Sequence, residues 1–176
     1  GLDTNTFPYL STTNSIEYPP IIGLGNWLIS FITPGENSYR WFFDINILVI
    51  TILFFGCALI VRKMQPQLTY LFIFAPAVIA SLFINWDIWA VVTAILAIYY
   101  FDQKKFEPSA IWLGVSIATK FFPIVLLLPI AIIFYRNKKL TEFSRYLFTT
   151  FIIWAAFNLP IMLTYFDGWC RFYKLN

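Results

Sequence analysis

Asp87 and Lys120 lie at the ends of two apolar stretches, 88–100 and 109–119, that contain no charged residue. An ionisable side chain near the centre of a membrane costs at least about 2.5–3.5 kcal/mol, so such a group normally pairs with another or lines a wet pathway. A helix that descends from Asp87 and a second that climbs back to Lys120 would return both charges to one side. We therefore predict that Lys120 and Asp87 form an ion pair in a functional cavity.

Each of these residues also has a purely structural interpretation. The alternative for Lys120 is a lysine whose ammonium snorkels to the membrane interface. Asp87 is a suitable N-cap for a helix that starts at Ile88, and a cap and a counter-charge are compatible roles. Asn85 is compatible with three roles: a helix cap, a polar hinge and a ligand for a sugar hydroxyl. The sequence alone does not distinguish among them.

A second group of candidate residues is the sequence Glu17-Tyr18-Pro19-Pro20. The two prolines fix an extended backbone and keep Tyr18 out of the helical region, so Glu17 and Tyr18 would be presented rigidly. The alternative is a purely structural role, in which the prolines mark the boundary between the loop and the following helix, with one of them in the first turn of that helix. Near the other end of the sequence, Arg171 and Lys174 are interpreted as solvated charges.

The composition indicates which elements must position these residues. Hydrophobic residues make up 60% of the chain and charged residues 12%, against about 45–50% and 25% in soluble domains. A membrane-spanning helix needs roughly 20 apolar residues, and residues 41–61 form such a stretch with Asp44 as its one ionisable group. The apolar runs do not alternate with polar residues as a membrane barrel requires. The predicted fold is all-α: a polytopic transmembrane helical bundle with short or broken helices.

Polar segments divide this bundle into four parts. Residues 1–20 are predicted to be the end of an extracytoplasmic loop, and residues 21–34 an interfacial or re-entrant helix. Residues 41–166 are predicted to form the transmembrane region, with about six helices, several of them short. Residues 167–176 would begin another extracytoplasmic loop. Both termini of the sequence look like cuts within a longer protein.

The basic residues suggest an orientation. Eight of the twelve lysines and arginines fall in three loops, at 62–63, 104–105 and 136–145, and cytoplasmic placement of all three satisfies the positive-inside rule. This arrangement requires 109–135 to be two short helices that meet near Lys120, and the competing interpretation is one kinked span. Glu17, Asn85, Asp87 and Lys120 then collect on the extracytoplasmic side.

The sequence contains few residues that could form a metal, cofactor or nucleic-acid site. The chain has no histidine and two isolated cysteines, so neither a metal site nor a cofactor is predicted. The basic residues are dispersed, and no glycine-rich phosphate loop occurs, so nucleic acid is not an expected partner.

Three motifs resemble those of a known family. They are Glu17-Tyr18-Pro19, Asn85-Trp86-Asp87 and Thr119-Lys120-Phe121-Phe122-Pro123, in this order. The sequence resembles the polytopic glycosyltransferases of the C superfamily, in particular family 87, the polyprenol-phosphate-mannose-dependent α-mannosyltransferases of actinobacterial type. The likeness covers nearly the whole chain.

The resemblance implies an inverting transfer of a sugar, expected to be mannose, from a polyprenyl-phosphate donor to a lipid or glycan acceptor. The reaction would occur at the extracytoplasmic face of a bacterial cytoplasmic membrane. Lys120 would stabilise the departing phosphate, and Asp87, Asn85, Tyr18 and Glu17 would contribute to substrate binding. The interfacial helix would help to shape a groove for the prenyl chain.

The sequence departs from the family at the catalytic base. The family uses an aspartate early in the first extracytoplasmic loop, a region expected upstream of Gly1, and Glu17 is a weak substitute. The fragment alone is therefore expected to be inactive. Two other classes of protein stay open: a secondary transporter, in which Asp87 and Lys120 would form a gating pair, and a non-catalytic subunit of a membrane complex.

Overall fold

The computed structural model describes residues 6–10, 16–33 and 38–175 of the chain. Parts of the predicted loop 1–20 and of the loop after the first helix lie outside these residues. The described residues contain α-helices and short 3₁₀ turns and no strand, so the all-helical prediction is confirmed for them. The nine α-helices of the described residues are α1 Pro20–Phe31, α2 Ser38–Met64, α3 Thr69–Ile73, α4 Pro76–Ser81, α5 Asp87–Asp102, α6 Phe106–Thr119, α7 Leu127–Arg136, α8 Leu140–Thr164 and α9 Phe166–Leu175.

Two of these helices are long and apolar enough to cross a membrane, the segment Tyr39–Met64 of α2 and the whole of α8. At 1.5 Å per residue each is about 38 Å long, which exceeds the roughly 30 Å hydrocarbon core of a bilayer. In each helix 22% of the most apolar 18-residue window is buried inside the protein. Most of that apolar surface is therefore exposed, unlike the surface of a core helix in a soluble domain.

Proline divides the apolar run 68–84, whose length would otherwise suit one continuous helix. A 3₁₀ turn covers Pro66–Leu68, and α3 ends at Ile73. Ala75 has an extended backbone because it precedes Pro76, the first residue of α4, and the residue before a proline is driven out of the helical region. Two short helices therefore occupy this segment. By contrast, α8 continues through Pro160.

Helices α5, α6 and α8 pack closely through small and hydroxyl-bearing residues. The hydroxyl of Ser109 donates to the carbonyl oxygen of Ala97 at 2.8 Å, and that of Ser116 donates to the carbonyl oxygen of Ala90 at 2.7 Å. This register makes α5 and α6 antiparallel. A methyl group on Gly114 would lie 2.7 Å from the carbonyl oxygen of Thr150, so only glycine permits this approach of α6 to α8.

The chain reverses between α6 and α7 at Lys120. Helix α6 ends at Thr119, Lys120 has an extended backbone with φ −155° and ψ 142°, and a 3₁₀ turn at Phe122–Leu126 leads into α7. Residues 109–135 are thus two helices joined by a break, not one kinked helix. Ser109 and Tyr146 share a hydrogen bond of 2.9 Å, which places the start of α8 beside the start of α6.

The last segment differs from the predicted loop because residues 166–175 form helix α9. Its inner side meets the N-terminal segment: Gly168 is buried, and any side chain there would collide with the backbone carbonyl of Tyr9. The indole N–H of Trp169 donates to the Oδ1 atom of Asn158 at 3.0 Å, which fixes α9 to the end of α8. Helix α9 therefore closes the same end of the bundle at which Lys120 lies.

Candidate functional site

The structure brings Lys120 and Asp87 together in an ion pair between Nζ and Oδ1. The backbone around both residues is fixed: the N–H of Lys120 donates to the carbonyl oxygen of Ser116 at 3.0 Å, and the side chain of Ser116 bonds to Ala90 in the first turn of α5. The end of α6 is thus held beside the start of α5. The two charged side chains are 28% and 37% exposed, so the pair is open to a solute.

Asn85, rather than Asp87, provides the side-chain hydrogen bond at the start of α5. Helix α5 begins at Asp87 itself, and the Asn85 Oδ1 atom accepts a hydrogen bond of 3.0 Å from the backbone N–H of Asp87. The interpretation of Asp87 as an N-cap before Ile88 is therefore wrong. As the first residue of the helix, the Asp87 carboxylate is still favoured by the helix dipole, and its oxygen is available to Lys120.

Trp86 anchors this turn to α2. Its indole N–H donates to the Oδ1 atom of Asn46 at 2.7 Å, and the amide nitrogen of Asn46 donates to the carbonyl oxygen of Phe42 at 2.9 Å. Asn46 is 5% exposed, and a buried amide of this kind requires such partners. The sequence analysis missed Asn46, although an amide within the apolar stretch of α2 was a signal that pointed to it.

Tyr18 lies beside the Asn85-Trp86-Asp87 turn. Its ring meets the ring of Trp86 edge to face, with 5.1 Å between the centroids and 89° between the planes. Burial, followed by the negative charges of Asp87 and Glu17, raises the pKa of the Tyr18 phenol above its usual value of 10.0. The phenol therefore stays protonated at neutral pH and is able to donate a hydrogen bond.

The backbone of this segment is fixed from both sides. Pro19 has an extended backbone and precedes Pro20, the first residue of α1, as the two prolines predict. The hydroxyl of Tyr9 donates to the carbonyl oxygen of Tyr18 at 2.7 Å. Tyr9 is 2% exposed and packs against Gly23, where any side chain would collide with its hydroxyl. Sequence analysis did not identify Tyr9, because nothing local distinguishes it from the other tyrosines.

Glu17 forms an ion pair with Arg171 of α9, with 2.9 Å between Oε1 and Nη2. The Arg171 side chain is 26% exposed and that of Glu17 is 53% exposed. The interpretation of Arg171 as a freely solvated charge is therefore wrong. Two ion pairs, Lys120–Asp87 and Arg171–Glu17, thus lie at one end of the bundle, with Tyr18 next to Glu17 in the chain and within the electrostatic influence of Asp87.

Two cavities border this turn. The larger, of about 290 Å³, lies between α2 and residues 83–86, and Phe42, Phe43, Ile50 and Ile84 are among its apolar lining residues. The smaller, of about 90 Å³, is lined by Asp87 and by residues of α3, α4 and α5. Asn85 contributes to both. An apolar groove therefore reaches the turn that carries Asp87.

The described residues contain no group of three or more acidic, cysteine or histidine side chains with the placement of a metal site. The chemistry that the described site offers is thus that of a cation–carboxylate pair, a neutral phenol and an adjoining apolar groove. Comparison with models of known protein families finds no match to the chain. Neither the curated proteins nor the solved structures give a significant match.

Proposed function

We propose that this chain is part of an integral membrane glycosyltransferase that moves a sugar, mannose by resemblance, from a polyprenyl-phosphate donor to a lipid or glycan acceptor. The proposed location is the bacterial cytoplasmic membrane, with the active face extracytoplasmic. The observation that carries the proposal is the accessible Lys120–Asp87 ion pair at the break between α6 and α7. It joins two of the three motifs on which the family resemblance rests.

An ion pair of this kind suits the release of a lipid phosphate. As the bond between the sugar and the phosphate breaks, negative charge grows on the phosphate oxygens, and a cation positioned there lowers the barrier. Lys120 would exchange part of its contact with Asp87 for contact with the phosphate. Because Asp87 holds the ammonium in place before the donor arrives, little reorganisation is required at that moment.

The transfer balances as a single displacement. The acceptor hydroxyl oxygen attacks the anomeric carbon from the side opposite the phosphate, and the carbon–oxygen bond to the phosphate breaks with its electron pair leaving on the phosphate. The hydroxyl proton passes to a carboxylate base, a step worth about 10²–10⁴-fold. The Glu17 carboxylate accepts a hydrogen bond from Arg171, so base chemistry there would require that contact to open. We therefore assign the base to no described residue.

The apolar groove beside α2 is the proposed binding site for the donor's lipid chain. The cavity of about 290 Å³ is mainly apolar, and Asn85 and Trp86, which directly precede Asp87, are among its lining residues. A prenyl chain in this groove would bring its phosphate toward Lys120. Membrane insertion itself is supported by α2 and α8, whose outward faces present residues such as Ile52, Phe55, Phe151 and Leu163.

Sugar transfer by membranes that contain the full-length protein tests the proposal. The membranes would receive radiolabelled polyprenyl-phosphate mannose and native lipid or glycan acceptors. The variants are Lys120→Ala and Asp87→Asn, with Lys63→Ala, an exposed lysine in the last turn of α2, as the matched control. We expect transfer by the wild type and the control, and its loss in both site variants at unchanged protein level.

The possible results separate the family from the site. Sugar transfer by both site variants would contradict the role of the Lys120–Asp87 pair but would still support glycosyltransferase activity. Absence of transfer from mannose, glucose and other polyprenyl-phosphate donors alike contradicts the proposed activity.

A secondary transporter is the second candidate, favoured by the interrupted helices around an ion pair, a feature of many transporters. In that case Lys120→Ala and Asp87→Asn would abolish solute uptake into proteoliposomes without any sugar transfer. A non-catalytic subunit of a membrane complex would tolerate both substitutions in either assay.

A further inference from the structure

Two helix ends at the opposite end of the bundle from Lys120 have the same unusual backbone. Lys104 and Lys138 follow α5 and α7 with φ angles of 60° and 56°. In the first turn, the N–H of Lys104 bonds to the carbonyl of Phe101 and that of Lys105 to the carbonyl of Tyr100. This pairing, repeated after α7, is a Schellman motif, in which the left-handed position is normally glycine.

A lysine at this position is less favourable than glycine. Its Cβ atom crowds the backbone in the left-handed region, a conformation that glycine adopts without this cost. The chain accepts this cost twice, at equivalent positions of two neighbouring turns. Strain of this kind is retained where the side chain has a use, and both side chains are exposed. Because both side chains are exposed, a use for them is to be sought at the protein surface.

The two turns form one surface. The ammonium of Lys139 lies over the ring of Phe106 at 5.6 Å from its centroid, and the rings of Phe106 and Phe134 are 4.8 Å apart. Residues 102–107 and 136–145, which form and flank the two turns, carry six basic residues and three carboxylates. The basic residues are Lys104, Lys105, Arg136, Lys138, Lys139 and Arg145, and the acidic ones are Asp102, Glu107 and Glu142.

The ion pair between Glu142 and Lys139, 2.9 Å apart, removes one charge of each sign from this surface and leaves five basic residues against two carboxylates. A cleft of about 430 Å³ opens beside the turns, with Phe106 and Phe148 among its walls and Arg145 at its side. Glu107 and Glu142 also line the cleft, so an anion is favoured at the exposed lysines of the turns rather than inside it. The apolar rings of the cleft suit the glycerol and upper acyl region of a lipid.

We propose that this surface, the two basic turns with the adjoining cleft, binds the headgroups of anionic phospholipids. Lys104 and Lys138 contact the phosphates, and each cation near an anionic membrane surface adds favourable energy that salt screens. The inference rests on the membrane part of the proposed function and is independent of sugar transfer. It explains why two lysines occupy positions at which glycine is more stable.

Thermal unfolding of the full-length protein in neutral detergent, with added lipid, tests this inference. Phosphatidylglycerol is compared with phosphatidylcholine and with inorganic phosphate at equal phosphate concentration. The main variant is Lys104→Gly/Lys138→Gly. Lys174→Gln, which removes an exposed lysine from α9 at the other end of the bundle, is the control.

We expect phosphatidylglycerol alone to raise the Tm of the wild type and of the control. The double glycine variant should unfold about 2–4 °C higher than the wild type without lipid, since the strain is removed. Its response to phosphatidylglycerol should fall by at least half. This combination, more stable alone and less responsive to lipid, would not follow from a defect in folding.

Three results would overturn the inference. The first is a full response of the double glycine variant to phosphatidylglycerol, and the second is an equal response of the wild type to phosphatidylcholine. The third is an equal response to inorganic phosphate, which would show a general anion effect. Sugar transfer plays no part in this assay, so a negative result here leaves the proposed activity untouched, and the converse also holds.

Discussion

The guanidinium of Arg171 donates a hydrogen bond of 2.9 Å to the carboxylate of Glu17, which lies 154 positions earlier in the chain. This contact links α9 to the segment that precedes α1. Tyr18 follows Glu17 directly, and its ring meets Trp86 of the turn that carries Asp87. Helix α9 therefore helps to position Tyr18 beside the Lys120–Asp87 pair. It does so indirectly, because Arg171 contacts Glu17, the residue before Tyr18.

A charge reversal tests this positioning role. Glu17→Arg and Arg171→Glu each oppose like charges, and we expect sugar transfer to fall about tenfold to a hundredfold because Tyr18 is displaced. The double reversal Glu17→Arg/Arg171→Glu should recover most of the activity. Stability should change little, since a half-exposed pair contributes ~0.2–1 kcal/mol. A double reversal as inactive as the single variants would contradict positioning through this ion pair.

The Lys120–Asp87 pair is expected to show energetic coupling in a double-mutant cycle. The variants are Asp87→Asn, Lys120→Gln and their combination, measured by denaturation in detergent. Because the two side chains are about one-third exposed, we expect a coupling energy of ~1 kcal/mol, between values for exposed and buried pairs.

Helix α2 provides the matched control for this cycle. Arg40 and Asp44 are 4.0 Å apart, with side chains 86% and 54% exposed, and their coupling should be close to zero. Equal coupling in both pairs would show that the Lys120–Asp87 contact has no special environment.

Local sequence signals predicted much of the fold and one half of the site. Asp87 and Lys120 flank two successive helices, so an antiparallel hairpin brings them together, and the two uncharged apolar runs with the charged loop between them were sufficient to predict it. The division of residues 68–84 into two short helices depends on Pro76, which drives Ala75 into an extended backbone.

The other half of the site depends on long-range packing. The pairing of Arg171 with Glu17 requires α9 to fold back over the N-terminal segment, where Gly168 accommodates the backbone of Tyr9. No periodicity in a single sequence relates positions this far apart. The same is true of Asn46 in α2 and Trp86 in the turn before α5, which are 40 residues apart and form a hydrogen bond.

The titration of Tyr18 gives a prediction for alkaline pH. Its pKa is raised in the folded protein above the ordinary 10.0, so the folded state holds this proton more tightly than the unfolded state. The corresponding stability is complete below pH 10 and is lost as the pH rises through the folded pKa. We expect the wild type to lose more stability between pH 9 and pH 11 than Tyr18→Phe in the same detergent. Equal losses would contradict a perturbed phenol at this position.

Gly114 offers a test of the helix packing that positions Lys120. A methyl group there would lie 2.7 Å from both the Thr150 carbonyl oxygen and the Ile153 Cβ atom, and neither atom is at the flexible end of a side chain. We expect Gly114→Ala to destabilise the protein by ~1–3 kcal/mol, because α6 must move away from α8. The matched control is Gly56→Ala in α2, where nothing lies within 4 Å and alanine should stabilise the helix by up to ~1 kcal/mol. Denaturation midpoints measure both effects. A neutral Gly114→Ala would show that α6 and α8 are not in close contact, and the location of Lys120 at the end of α6 would lose its support.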